Sequence, residues 1–371
     1  MLRLFSKITF TPAAVTDKGK VATDRETVVL DFVTNVTVDI SHEELTSTAE
    51  IKIPRKLTFN GKDITTGIDA IFRRGDKVKI ECGYYPELKT IFEGYIANVA
   101  IGAPLVIECE DEMFNLQKKH ILYPTQHDLL YQKYGKKGKP LKKQRIIPKK
   151  MKLKKFITDV VLADTPYAKD LVCDIDMEIA IKRFDCSARE VLNKLKETFV
   201  GFYAYFQDGK LNVGFKNDAN NTKTVEFQFN DNIIDDSRLQ YRRQEDIQLI
   251  CRATSYDVDT GETKSVTWPP DVGPETPSSH IDVFTTTRMT EEDLKKFAQK
   301  NCESRKYEGY RGSFLTFGEN YVRPGDAAKL IDTKYPERNG TYIVRSVKRM
   351  FGTEGYRQLI ELDVRVGFNT K

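Results

Sequence analysis

The sequence predicts a β-rich α+β protein built on an internal duplication of one antiparallel β-module, and three observations carry that reading. A signature recurs at a spacing of 250 residues: Arg73, Gly75, Asp76, Lys79, Ile80, Tyr85, Pro86 and Glu87 stand in register with Arg323, Gly325, Asp326, Lys329, Leu330, Tyr335, Pro336 and Glu337. Each copy leads to a similar strand, Gly94-Tyr-Ile in the first and Gly340-Thr-Tyr-Ile in the second. Apolar alternation of period two dominates the chain, and helical spacing is confined to three short stretches.

Taken in order, residues 1–10 alternate like an edge strand, and Thr27 to Ser41 and Thr46 to Pro54 read as two strands with one face wet. Asp63 to Ile71 is a connection into the first signature. Gly75 and Gly325 can take positive φ and the neighbouring aspartates can accept from backbone amides, so each signature forms a tight turn into a strand. Val78 and Ile80 face one way there, and Lys77, Lys79 and Glu81 the other. Tyr85-Pro86-Glu87 and Tyr335-Pro336-Glu337 read as hairpin connections. Return strands (Phe92 to Ile101, Gly340 to Met350) and final strands (Leu105 to Cys109, Tyr356 to Val366) complete each meander.

Between the copies, Lys154 to Leu162 has helical spacing. Asp185 to Glu197 is a clearer helix, with Asp185 or Ser187 as cap and Val191, Leu192, Leu195 and Phe199 on one face. Phe202 to Phe206 and Lys210 to Phe215 form a hairpin turned by Asp208-Gly209. Thr222 to Phe229 is a further strand. Ile247 to Asp257 pairs with Glu262 to Trp268, Pro269 to Pro277 is an excursion, Ile281 to Thr286 is a strand, and Thr290 with Asp293 opens a helix to about Lys306.

The net charge of +5 is unevenly placed. Residues 118–155 hold fourteen Lys and Arg against the single acid Asp128, a local charge of +13 that leaves the rest of the chain at −8. Gly135, Gly138 and Pro140 break any helix there, so the segment reads as a solvated loop. Lys136, Lys137, Lys142, Lys143, Arg145, Lys149 and Lys150 are its candidate partner-binding residues, for phosphate, anionic lipid or an acidic protein surface. The bland alternative is a loop kept basic for solubility. No helix-turn-helix, zinc-finger or RNP aromatic pattern accompanies the charge, so sequence-specific nucleic-acid reading is not expected.

At 371 residues with 40% hydrophobic content, the chain can bury two or more cores. It has no run of about 18 apolar residues for a membrane helix and no signal-peptide pattern at its start. The six cysteines lack metal-ligand spacing and suit a reduced, cytoplasmic site of synthesis. The four histidines are far apart and no Ser or Cys sits in a nucleophile elbow. Adjacent carboxylates such as Glu43-Glu44 face opposite ways on a strand. The residues point away from an enzyme and from any cofactor or metal.

The run Asp185-Cys-Ser-Ala-Arg-Glu-Val-Leu-Asn-Lys-Leu, the Phe-Tyr-Ala-Tyr-Phe strand and Asp-Gly-Lys-Leu-Asn-Val-Gly resemble the central helix-hairpin of baseplate hub proteins of contractile phage tails. These form the late-control-protein or tail-hub family, and the hub half of type VI secretion spike proteins is similar. Val322-Arg-Pro-Gly-Asp326 and Gly340 to Val347 fit the same pattern, so the likeness runs over roughly residues 25–367. It implies two tail-tube-like antiparallel β-barrels plus a smaller α+β domain. The barrels would be residues 1–115, completed by a hairpin and strand at 201–235, and residues 236–371, with a Pro-rich excursion at 268–280 and a helix at 290–306. Residues 116–200 would be a basic inserted domain.

The resemblance further implies a ring-forming homotrimer whose six barrels imitate one hexameric disc of the tail tube and meet a trimeric spike. Tape-measure and baseplate wedge proteins are further implied neighbours. The end at Lys371 leads to the expectation that the spike is a separate chain. The rival reading is a nucleic-acid- or glycan-binding β-protein using the 118–155 segment.

Overall fold

The computed structural model describes residues 3–13, 15–17, 20–22, 25–54, 58–59, 62–63, 71–100, 102–124, 150–199, 201–215, 223–243, 249–257, 259–270, 279–285 and 289–366. The chain divides into two compact units. The first comprises Met1–Phe114, Ala219–Gln244 and Tyr307–Phe368; the second comprises Asn115–Asp218, Glu245–Lys306 and Asn369–Lys371.

The first unit is built on one 14-stranded sheet. Two sets of strands within it follow one spatial order. In the first set Leu4–Thr11 lies beside Lys77–Tyr84, followed by Glu87–Ala100, Leu105–Glu110, Thr48–Ile53 and Asn35–Ser41. In the second, Thr224–Gln228 lies beside Ala327–Ile331, followed by Gly340–Gly352, Gly355–Arg365, Gly309–Phe317 and the short strands Ile233–Asp235 and Leu239–Arg242. The order of the strands along the chain also agrees between the sets. Both carry a register shift at the matching place, between Ile96 and Asn98 and between Val344 and Ser346. One relation differs: Leu4–Thr11 is antiparallel to its neighbour, whereas Thr224–Gln228 is parallel.

The sets meet at a seam. Gly340–Gly352 is long enough to change neighbours, so its first residues pair with Ala327–Leu330 and Ser346–Gly352 pairs with Asn35–Ser41. The strand path runs from Ile233–Asp235 to Val28–Leu30 and does not close among the described residues. The described strands form one continuous sheet with no closed barrel detected among them, so the two tail-tube-like antiparallel β-barrels implied by the resemblance are not confirmed.

Alternation buries one face of each set. One core holds Ile8, Phe10, Val36, Val38, Ile51, Val78, Ile80, Ile96 and Ile107; the other holds Phe227, Phe314, Leu330, Tyr342, Val344, Val347 and Ile360. Phe351 and Tyr356 belong to the first core although the second set supplies them, because the seam carries them across. Each such side chain contributes about 1.5–3 kcal/mol by leaving water.

Several local expectations are corrected. Leu4–Thr11 is no edge strand: Lys77–Tyr84 covers one side and Val28–Leu30 the other. Thr27 to Ser41 is two strands, Val28–Leu30 and Asn35–Ser41. The Tyr85-Pro86 turn is a tight hairpin with Tyr84 opposite Glu87, but Pro336–Arg338 forms a 3-10 turn in a longer connection. The Phe202–Gln207 and Lys210–Phe215 hairpin does not complete the first set; it pairs with Val172–Cys173 within the second unit. Thr224–Gln228 joins the second set through Ala327–Ile331. Leu249–Asp257, Glu262–Trp268 and Ser279–Thr285 form a separate three-stranded sheet in the second unit, outside the second β-module.

Within the second unit, Ala188–Thr198 is a helix with a capping box: Ser187 accepts from the Glu190 amide while the Glu190 carboxylate accepts from the Ser187 amide. Val191, Leu192, Leu195 and Phe199 are buried, as their spacing requires. The 153–162 stretch is one α-turn followed by a π-turn, Ile157–Val161. Glu291–Arg305 is capped by Thr290 and contributes Leu294, Ala298 and Cys302 to a core with Leu249, Cys251 and Val283.

Candidate functional site

The two signature turns share four hydrogen bonds of matching length. Gly75 (φ 94°) donates to the Ile96 carbonyl at 2.8 Å, Asp76 donates from its amide to Arg73 at 3.1 Å, and Ile96 donates back to Asp76 at 2.9 Å. Gly325 (φ 89°) donates to Val344 at 2.8 Å, Asp326 to Arg323 at 3.1 Å, and Val344 back to Asp326 at 2.9 Å. The carboxylates of Asp76 and Asp326 each accept from the amide of the arginine three residues earlier, at 2.9 Å. Positive φ selects glycine, and the buried aspartate satisfies an amide that would otherwise be orphaned.

The first turn is fastened further. Arg25 places two nitrogens on the Asp76 carboxylate, each at 2.6 Å, and the Ala13 amide adds a third donor at 3.0 Å. Burial alone would raise the Asp76 pKa, but Arg25 and the Ala13 and Arg73 amides outweigh it and hold the carboxyl below its ordinary value. Sequence reading missed Arg25, because nothing in its neighbourhood marks a partner 51 residues away. In this chain the aspartates serve the fold: both are buried.

The seam strand holds two notable arginines. Arg345 reaches Glu43 at 3.5 Å, Glu361 at 3.4 Å and Asp363 at 3.2 Å, tying its own strand by charge to Gly355–Arg365 and to the bend that follows Asn35–Ser41. Arg349 is fully buried, donates to the Val322 carbonyl at 2.6 Å and lies 4.2 Å from the centre of the Tyr321 ring. Arg345 sits at the bulge, where period-two alternation breaks, and would pass for a wet-face cation; Arg349 falls in step with Val347 and Phe351 on the buried face, and its charge hides that placement.

Of the seven candidate basic residues, Lys136, Lys137, Lys142, Lys143, Arg145 and Lys149 lie outside the described residues. Lys150 lies in the short strand Lys150–Lys152, which pairs with Glu178–Ala180. It is ion-paired to Asp259 in the hairpin turn after Asp257, and that hydrogen bond raises its pKa. Lys152 is bonded to Asp176 at 2.8 Å. These two charges are thus partly answered within their own unit.

Five of the six cysteines are buried, and burial pushes Cys82 up to about 12, so its thiol is held as an inert apolar group. Among the described residues no three His, Cys, Asp or Glu side chains gather as a metal site, and no helix is long and apolar enough to cross a membrane.

No family model matches the sequence, and no curated protein matches it. Solved structures do. The 43 kDa tail protein of prophage MuSo2 from Shewanella oneidensis is 14% identical with a TM-score of 0.55, the match covering 97% of this chain and 98% of that one. The tail protein from Neisseria meningitidis MC58 is 12% identical with a TM-score of 0.54, over 98% of this chain and 97% of that one. Over nearly its whole length, then, this chain has the fold of phage tail proteins.

Proposed function

We propose that this chain is the structural hub of a contractile-tail or injection-machine baseplate, a ring of three copies that adapts a hexameric tail tube to a trimeric spike. The observation that carries the reading is the repetition: matching turns, matching strand order and a matching bulge occur twice in one sheet, joined edge to edge at the seam. A chain with two equivalent modules presents six in a ring of three, so one face answers a sixfold partner and the other a threefold one. The likeness to tail proteins over both full lengths supports a tail role rather than a fragment shared with an unrelated enzyme.

On this reading the work is geometric and no bond is made or broken. The assembled protein sits in the baseplate of a particle, after synthesis in the bacterial cytoplasm, and the basic 118–155 segment meets spike, tape-measure or wedge subunits. Negative-stain microscopy of the purified chain, alone and mixed with the spike and tube proteins encoded beside it, tests this. Threefold rings with six similar lobes are expected; a chain that stays monomeric and binds neither partner overturns the reading. A gel shift with duplex DNA at moderate salt tests the rival, since binding by phosphate contacts falls steeply with salt.

A further inference from the structure

We infer that the ring is closed by main-chain pairing between two unpaired strand edges of this chain, residues 97–100 on one copy and residues 240–242 on the next, in a register that the internal seam dictates.

At the seam the second half of Gly340–Gly352 has Gly355–Arg365 on one side and Asn35–Ser41 on the other. The equivalent strand in the first set is Glu87–Ala100. Matching the turns aligns Ile96 with Val344, and matching the bulges aligns Asn98 with Ser346 and Val99 with Val347. Asn98–Ala100 has Leu105–Glu110 on one side, through Val106–Glu108, and no strand on the other among the described residues. Val347 is fully buried, whereas Val99 is only half-buried and Asn98 and Ala100 are exposed. The first set thus lacks the strand that Asn35–Ser41 supplies to the second.

The missing counterpart is present elsewhere on the molecule. Leu239–Arg242 occupies the place in the second set that Asn35–Ser41 holds in the first: Leu239 opposes Gly312 as Val38 opposes Ala49. Among the described residues it is paired on one side only, by Gly309–Gly312. An unpaired row of N–H and C=O groups on each strand is a template for strand addition. The two edges are different surfaces, so they join copies head to tail, which closes a ring or runs on as a filament.

The register follows. Val347 opposes Ile40, Ser346 opposes Ser41 and Lys348 opposes Asp39 at the seam. By the same alignment Val99 faces Tyr241 of the next copy, Asn98 faces Arg242 and Ala100 faces Gln240. The occupant is a second copy of this chain, argued from that register; only the number of copies rests on the hub reading.

Directly opposed residues on antiparallel strands stand about 4.5–5.5 Å apart at Cα, within disulfide range. The full-length Ala100→Cys/Gln240→Cys variant, mildly oxidised at high micromolar concentration, is expected to give intermolecular disulfides that end at a three-copy species on a non-reducing gel. Neither single variant, nor the shifted pair Ala100→Cys/Asp235→Cys, should do so. A native trimer by light scattering without the cross-link overturns the pairing and leaves the hub reading standing. Cross-linking that continues past three copies supports the pairing and overturns the three-membered ring. A chain that neither associates nor cross-links overturns both.

Discussion

Buried carboxylates are the residues on which this fold is most exposed to single changes. Asp76 is paired with Arg25 inside the first unit, and removing one member of a buried pair leaves the other uncompensated, at about 3–5 kcal/mol. Asp76→Ala should therefore lower the denaturant midpoint markedly. The double variant Arg25→Ala/Asp76→Ala should lose less than the sum of the single losses, by about 0.5–3 kcal/mol; strict additivity would refute the coupling. The pH dependences of two aspartates should oppose each other. Asp76 has a folded pKa below its unfolded value, so its contribution is full above about 4 and is lost as pH falls through the depressed value. Asp111, buried, accepts from the Ser47 amide at 2.8 Å and the Met113 amide at 3.0 Å, yet burial pushes its pKa up to about 7. With the folded value above the unfolded one, its contribution is full below about 4 and falls away as pH rises toward 7. Asp111→Asn keeps an acceptor and cannot ionise, so the decline of unfolding free energy between those pH values should flatten; an unchanged slope would remove this assignment.

At the scale of elements, local chemistry was readable and partnership was not. The cap of the Ala188–Thr198 helix, which the sequence left between Asp185 and Ser187 and the structure gives to Ser187, the Asp208-Gly209 hairpin and the Arg-x-Gly-Asp turns each follow from residues a few positions apart, and all three form. Ser187→Ala should cost about 1 kcal/mol through the lost cap, seen as a lower unfolding midpoint with the native circular-dichroism spectrum kept. Strand partners depend on which edges meet after long excursions. Asn35–Ser41 pairs with Ser346–Gly352 across some three hundred residues, and no period in either segment distinguishes that neighbour from another. Placing the 201–235 hairpin and strand in the first module rested on the resemblance, and alternation could not test it, because it states which face is buried and is silent on which sheet. Of the candidate site, the turn aspartates were visible through repetition, while Arg25 and Arg345 were not, since an isolated arginine reads as solvated. The 118–155 basic run was visible as charge; its only candidate among the described residues, Lys150, already meets Asp259.

For the whole molecule, the proposed ring makes the basic segment a testable contact. Reversing charge at Lys142, Lys143, Lys149 and Lys150 should weaken co-sedimentation with spike or baseplate subunits at physiological salt while leaving the chain's own association intact, because the strand edges lie elsewhere in the sequence. Unchanged co-assembly would discard the segment as a contact. The parallel set of Thr224–Gln228 against Ala327–Ile331, where the first module places an antiparallel neighbour, has a last implication. Copies that share a turn but differ in the direction of a flanking strand are distinguishable to anything that touches the flank. In the proposed ring of three, a neighbour gripping the shared turns would count to six around the circle and one gripping the reversed flank only to three, so a single polypeptide would tell its two neighbours different numbers.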